Sequence, residues 1–256
     1  MTTLLALLTA STAWATSLAV APAITDVQVE AGVSSEVTFH VANRADAPLA
    51  VQTSLADWWH DGTEHRTVVA GSTERSSSSW TEVFPATLVL PPRSQGELTA
   101  VLTPPPDATG GFYVVVLVSG SPHVDGSEQA AAGVGAGVAA LLSVRIDGTG
   151  TEALALDRVE VSPPTASTPL VVTAFARNDG DVHLQVESRV VVLDEVGTVR
   201  ATLASRSRVV LPGQALPIDA QWAGSLEAGQ YDAIVTLAYG PGEVASAQHA
   251  FVVGDE

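Results

Sequence analysis

From Thr16 onward the chain alternates apolar and polar residues with a period of two, and no stretch sustains a helical period. Glu36 to Asn43 is the cleanest case: Val37, Phe39 and Val41 face one way, and Glu36, Thr38 and His40 the other. That is the pattern of a half-buried strand with one wet face. Leu18 to Val20 with Ile24 to Val29 predicts an opening strand interrupted at Pro22, as edge strands often are. A polar turn from Asn43 to Pro48 leads to a strand from Leu49 to Trp58, with Val51, Thr53 and Leu55 inside. Trp58 to Trp80 is polar and predicts a surface loop or a short irregular edge. Val83 to Leu90 and Glu97 to Thr103 predict two strands around a Pro91–Gly96 turn, and Leu98, Ala100 and Leu102 point inward. Phe112 to Val118 is apolar on both faces, as expected of a central strand covered on each side. After a loop rich in Gly, Ala and Ser from Ser119 to about Gly135, Val138 to Ile146 puts Val138, Ala140, Leu142, Val144 and Ile146 on one face.

Gly148-Thr149-Gly150 predicts a hinge. Beyond it, seven candidate strands follow: Leu154 to Val161, Leu170 to Arg177, Val182 to Leu193, Val199 to Arg208, Leu216 to Trp222, Tyr231 to Tyr239 and Val244 to Val253. Seven short strands with turn signals between them are the signature of an immunoglobulin-like sandwich. The same punctuation occurs in both halves. Asn43, Leu90-Pro91-Pro92 and Gly111-Phe112-Tyr113 are answered in order by Asn178-Asp179-Gly180, Leu211-Pro212-Gly213 and Gly229-Gln230-Tyr231. A Gly-x-Tyr opening an apolar strand shortly after a Leu-Pro suits a tyrosine corner. The fold expected is therefore all-β, two tandem immunoglobulin-like sandwiches, residues 16–148 and 151–253.

Composition narrows the function. A hydrophobic fraction of 46% with 15% charged residues is ample for packed cores and argues against disorder. The net charge of −17 comes from 28 acids against 11 basic residues, all arginine. Such a surface repels phosphate backbones and anionic lipid heads, so nucleic acid and the membrane surface are poor partners. The absence of cysteine excludes zinc–thiolate sites, iron–sulfur clusters and thiol nucleophiles. Each half is long enough to fold by burial without disulfides.

Residues 1–15 read as a signal peptide. Leu4 to Leu8 forms a short apolar centre, and Ala13 and Ala15 are the small residues a signal peptidase inspects, although no Lys or Arg precedes them. No run approaches the roughly 20 apolar residues of a membrane span, and Gly254-Asp255-Glu256 carries no anchor. The protein is expected to be exported, in a periplasm or outside the cell.

Candidate chemistry is sparse. His60-Asp61-Gly62-Thr63-Glu64-His65 offers two imidazoles and two carboxylates, but on a loop without the rigid frame a metal site needs, so no metal is expected. Gly133 to Gly137 precedes a strand and no helix, so it cannot hold a dinucleotide phosphate. No nucleophile elbow is present and the other histidines have no evident partners, so neither catalysis nor a cofactor is expected. Trp58, Trp59 and Trp80 near one polar loop offer either a sugar-stacking platform or a plug for the sandwich end, the plug being favoured.

Asn43, Asp57-Trp58, Trp80 with Pro85, Leu90-Pro91-Pro92 and Gly110-Gly111-Phe112-Tyr113 together resemble the first domain of PapD-type periplasmic pilus chaperones and their relatives, among them the WxL-interacting surface proteins. Arg177-Asn178-Asp179-Gly180, Leu211-Pro212-Gly213 and Gly229-Gln230-Tyr231 resemble the domain that follows. The resemblance implies strand donation to a subunit that lacks a strand, in which main-chain hydrogen bonds supply affinity and alternate side chains supply specificity. It assigns partner binding to Val138, Ala140, Leu142, Val144, Arg145 and Ile146, although the same alternation also suits this domain's own core. It further implies two basic residues clamping a terminal carboxylate. Arg145 can be one, but the first strand has no base before Arg44. The function expected is an exported, non-enzymatic chaperone-like protein for secreted surface or pilus subunits. The alternatives are a structural or adhesive envelope protein and a carbohydrate-binding module.

Overall fold

The computed structural model describes residues 18–60, 65–123 and 136–254; the signal-peptide reading of residues 1–15 lies outside them. In the first sandwich the strands are β1 (Leu18–Ala21), β2 (Ile24–Val29), β3 (Ser35–Asn43), β4 (Leu49–His60), β5 (His65–Val69), β6 (Thr81–Phe84), β7 (Thr87–Leu90), β8 (Gln95–Leu102), β9 (Gly111–Pro122) and β10 (Ala136–Ile146). One sheet runs β1-β3-β8-β6. The other runs β2-β10-β9-β4-β5, with β7 also pairing β4. The period-two alternation becomes the space between these sheets. Phe39, Val41, Leu98, Leu102, Val114, Val116, Leu142 and Ile146 fill it and are fully buried, each stabilising the fold by about 1.5–3 kcal/mol of transfer from water.

The second sandwich comprises β11 (Leu154–Ser162), β12 (Leu170–Asn178), β13 (Leu184–Asp194), β14 (Val199–Ala204), β15 (Arg208–Val210), β16 (Ala215–Trp222), β17 (Gly229–Ala238) and β18 (Val244–Val253). The β11-β12-β16 sheet faces the β14-β13-β17-β18 sheet, and β15 also pairs β13. Leu170, Val172, Leu184, Val190, Ile218, Val235 and Leu237 form a separate core. The fold is all-β, two immunoglobulin-like sandwiches in tandem.

Several elements differ from the sequence-based expectation. The opening strand is two strands in opposite sheets: β1 pairs β3, and after Pro22 β2 pairs β10 in parallel. The strand expected over Val83 to Leu90 splits in the same way at Pro85, β6 joining β8 and β7 joining β4. A proline cannot donate to the ladder, so it is where a chain leaves one sheet for the other. The stretch after Trp58 is no simple loop. β5 forms a hairpin on β4, with Trp58 opposite Thr67. Val199 to Arg208 is interrupted at residues 205–207 into β14 and β15, both pairing β13, and Ser205 is held to β13 by its side chain as well as its backbone, its N–H donating to the Ser188 carbonyl and its Oγ accepting from the Ser188 N–H.

The repeated punctuation is real, but its register is shifted by one residue. Asn43 Nδ2 donates to the carbonyls of Ala47, Leu90 and Pro91, and its Oδ1 accepts from Ala45 N–H. Asn178 Nδ2 donates to Val182 and Val210, and its Oδ1 accepts from Gly180 N–H. The backbone N–H groups of Asn43 and Asn178 donate to Ser94 and Gln214. Leu90 therefore corresponds to Val210, not Leu211, and the positive-φ position is Arg93 (54°) in one turn and Gly213 (74°) in the other.

Only one of the two tyrosines is a corner. Tyr231 Oη donates to the Glu227 carbonyl at 2.9 Å, four residues upstream. Tyr113 makes no such bond, and its buried hydroxyl has no hydrogen-bond partner among the described residues.

Candidate functional site

β10 carries every residue the resemblance assigned to a partner. It lies between β9, paired from Ala136 to Arg145, and β2, paired only from Leu141 to Ile146. Ala140, Leu142, Val144 and Ile146 are buried in this sandwich's own core, and Val138 packs against the same core half-buried. Their side chains therefore serve the first sandwich itself. The main chain is another matter. Leu141 N–H donates to the Ala23 carbonyl at 2.9 Å, where β2 begins to pair. Backbone groups alternate in direction along a strand, so Gly137 and Ala139 turn their N–H and C=O the same way, beyond the reach of β2. Among the described residues no strand pairs that edge; β1 lies near β10 but belongs to the opposite sheet.

No basic residue of β1 or β2 joins Arg145. Its guanidinium pairs with Glu152 at 3.0 Å, and the β2 residue one pair removed is Asp26, opposite Ser143. Asp26 reaches across the inter-sandwich junction to His183 at 3.7 Å. Burial, helped by Arg145, holds the His183 imidazole below the usual histidine range against the pull of Asp26 and Glu152. A mixed-charge cluster thus stands where the resemblance implies a basic clamp.

The sandwiches meet at Gly110-Gly111. Gly111 N–H donates to the Asp181 carbonyl at 2.7 Å. A Cβ on either glycine would lie under 3 Å from neighbouring atoms: Asp181 for Gly110, the Tyr113 hydroxyl for Gly111. This close main-chain approach explains the glycine pair. Tyr113 packs edge-on against both His183 and Trp58. Burial drives its hydroxyl pKa far above the tyrosine range; the His183 backbone N–H lies near enough to pull weakly the other way but does not meet hydrogen-bond geometry.

Beside this junction a cleft of about 270 Å³ opens between Trp58, Trp59 and Arg75 of the first sandwich and the Leu211–Gln214 turn of the second. Gln214 is 5% exposed, and neither its Oε1 nor its Nε2 has a partner among the described residues. The three tryptophans are not one platform. Trp80 packs edge-on against Phe112 by the first core, while Trp58 and Trp59 border the cleft. Nearby, Asp57 is fully buried and accepts from Ser76 Oγ, Thr73 N–H and Thr73 Oγ1, which fixes the loop after β5. His60 and His65 are opposite each other where the β4–β5 hairpin closes, and residues 61–64 lie outside the described residues. Among the described residues no three His, Asp or Glu side chains converge as metal ligands. Nothing in the sequence singles out Gln214, since a glutamine after a Leu-Pro-Gly turn is ordinarily solvated; here it is buried and lines the cleft with Trp58 and Trp59.

No family model matches the chain, and no curated protein does. The class 5 fimbriae chaperone CfaA is similar, with 11% identity and a TM-score of 0.48 over 92% of this chain and 98% of that one. The chain is similar in structure to chaperones. The YadV chaperone gives 10% identity and a TM-score of 0.46 over 91% and 99% of the two chains. The E. coli chaperone DraB gives 16% and 0.46 over 94% and 97%. Likeness at this level concerns the fold, and the site rests on its own geometry.

Proposed function

We propose that this is an exported, non-enzymatic chaperone-like protein that binds secreted surface or pilus subunits by strand addition. The observation that carries the reading is that no strand among the described residues pairs the edge of β10 at Gly137 and Ala139, where an extended segment can take hydrogen bonds that β2 does not reach. Residues 16–148 are the domain that supplies this edge, and residues 151–253 form the second domain. With the side chains of Ala140, Leu142, Val144 and Ile146 committed to the core, the contribution of β10 is main chain, and specificity falls to the partner and to the small side chains flanking the edge. The reading gives the chain the kind of partner named for two similar structures, a tip adhesin and a pilin.

The test is capture of exported β-rich subunits by the tagged mature protein, compared with Ala139→Pro, which removes one outward N–H without entering the core. Capture by the parent and loss of it in a folded Ala139→Pro variant supports the reading. Equal capture by both overturns it, as does failure of the parent to retain any subunit, the outcome expected of a purely structural envelope protein.

A further inference from the structure

We propose that the cleft between the two sandwiches binds a saccharide ring, an activity separate from strand addition at β10. Its walls are of two kinds. Indoles stand on one side, with Trp59 43% exposed and so open to a flat ligand, and the Leu211-Pro212-Gly213 turn faces them. Beneath lie two buried polar groups, the Gln214 carboxamide and the Tyr113 hydroxyl, the latter on a residue 3% exposed, neither hydrogen-bonded among the described residues. Buried polar groups are rarely left unpaired, and each such group costs about 1–3 kcal/mol.

The chemistry of these groups selects the ligand. A carboxamide presents a donor and an acceptor side by side, and a phenol can act as either. Adjacent ring hydroxyls, each able to donate and accept, match that pair. An anion would find Arg75 on the cleft wall, but that guanidinium already donates to the Thr109 carbonyl and lies over the Phe112 ring, Glu74 lines the same cleft, and the net charge of the chain is −17. The apolar C–H face of a pyranose suits an exposed indole, and apolar walls with a few convergent polar groups are the general form of a small-ligand site. Gln214 and Tyr113 are screened from solvent in this arrangement. Engaging them takes rotation of the Gln214 carboxamide or a slight widening of the cleft about the 148–150 linker, whose glycines sit at φ +65° and +104°.

The full mature chain is titrated with cello-, malto- and chito-oligosaccharides and with a proline-rich peptide, read by tryptophan fluorescence and calorimetry. The expected result is binding of at least one sugar series, weakened at least about tenfold (a loss of about 1.4 kcal/mol) by Trp59→Ala and by Gln214→Leu. Trp222→Phe, in the second core, should bind as the parent does. Absence of binding by all three sugar series overturns the proposal. So does unchanged sugar affinity in both cleft variants, or binding of the peptide alone. None of these readouts depends on subunit capture, so this proposal and the strand-addition reading fail separately.

Discussion

Asn178 Nδ2 donates to the main-chain carbonyl of Val210 at 2.9 Å, from the end of one strand to the start of a turn 32 residues away. Asn43 does the same to Leu90 at 3.2 Å, so one side chain in each sandwich ties a strand end to a turn. Both asparagines are buried, and each also organises its own loop through Oδ1. Asn178→Ala should lower stability by about 2–4 kcal/mol, because buried carbonyls lose their donors. Asn178→Asp should cost at least as much, since a carboxylate in that place faces carbonyl oxygens. Urea denaturation followed by circular dichroism measures both; a midpoint unchanged in either variant would remove the tether from the account.

The two tyrosines predict opposite responses to the same change. Tyr231→Phe removes a hydrogen bond to Glu227 and should cost about 0.5–1.5 kcal/mol. Tyr113→Phe removes a buried hydroxyl that has no partner among the described residues and should be neutral or stabilising. Parallel denaturation curves decide the matter, and equal losses in the two variants would contradict the distinction between corner and junction.

What the sequence disclosed was governed by periodicity. The alternation in Glu36–Asn43 maps directly onto β3, where Phe39 and Val41 are buried and Glu36, Thr38 and His40 exposed. It could not show that Pro22 and Pro85 mark transfers between sheets, because each flanking strand alternates correctly in either sheet. The five apolar residues from Val138 to Ile146 were legible as one face, yet a core and a donated strand demand the same pattern. What separates them is that Ala140, Leu142, Val144 and Ile146 are enclosed between this sandwich's own sheets, a long-range fact. The cleft was legible only through Trp58 and Trp59. Gln214 and Tyr113 acquire their character from contact between sandwiches, and Gly110-Gly111, visible as a motif, reveals its reason only beside Asp181.

Asp57 makes stability depend on acid. Burial raises its pKa, but hydrogen bonds from Ser76, the Thr73 and Gly71 backbone N–H groups and the Thr73 hydroxyl outweigh it, and the net shift is downward. A carboxyl whose folded pKa lies below its unfolded value of about 3.9 stabilises the fold fully above that pH. The contribution then fades as pH falls through the lower, folded value. Asp57→Ala should therefore cost about 2–4 kcal/mol near neutrality, and the gap to the parent should narrow below about pH 4. Stability curves from pH 7 to 3 test this, and a gap that stays constant throughout would refute it.

Two substitutions on β10 separate its inner face from its edge. Leu142 is fully buried between the sheets, so Leu142→Asp places an unpaired charge in the core, a loss of more than about 4 kcal/mol. That variant should fail to fold, and its loss of partner binding would carry no information about the edge. Ala139 is exposed, with its N–H turned away from β9 beyond the end of β2. Ala139→Pro should stay within about 1 kcal/mol of the parent, because proline is tolerated where a strand's N–H faces outward. Near-identical denaturation midpoints for Ala139→Pro and the parent, beside an insoluble Leu142→Asp, are the expected pair. If Leu142→Asp were soluble and native in its circular dichroism, the core assignment of β10 would be wrong. If Ala139→Pro unfolded, that edge would be engaged within the chain itself and closed to any partner.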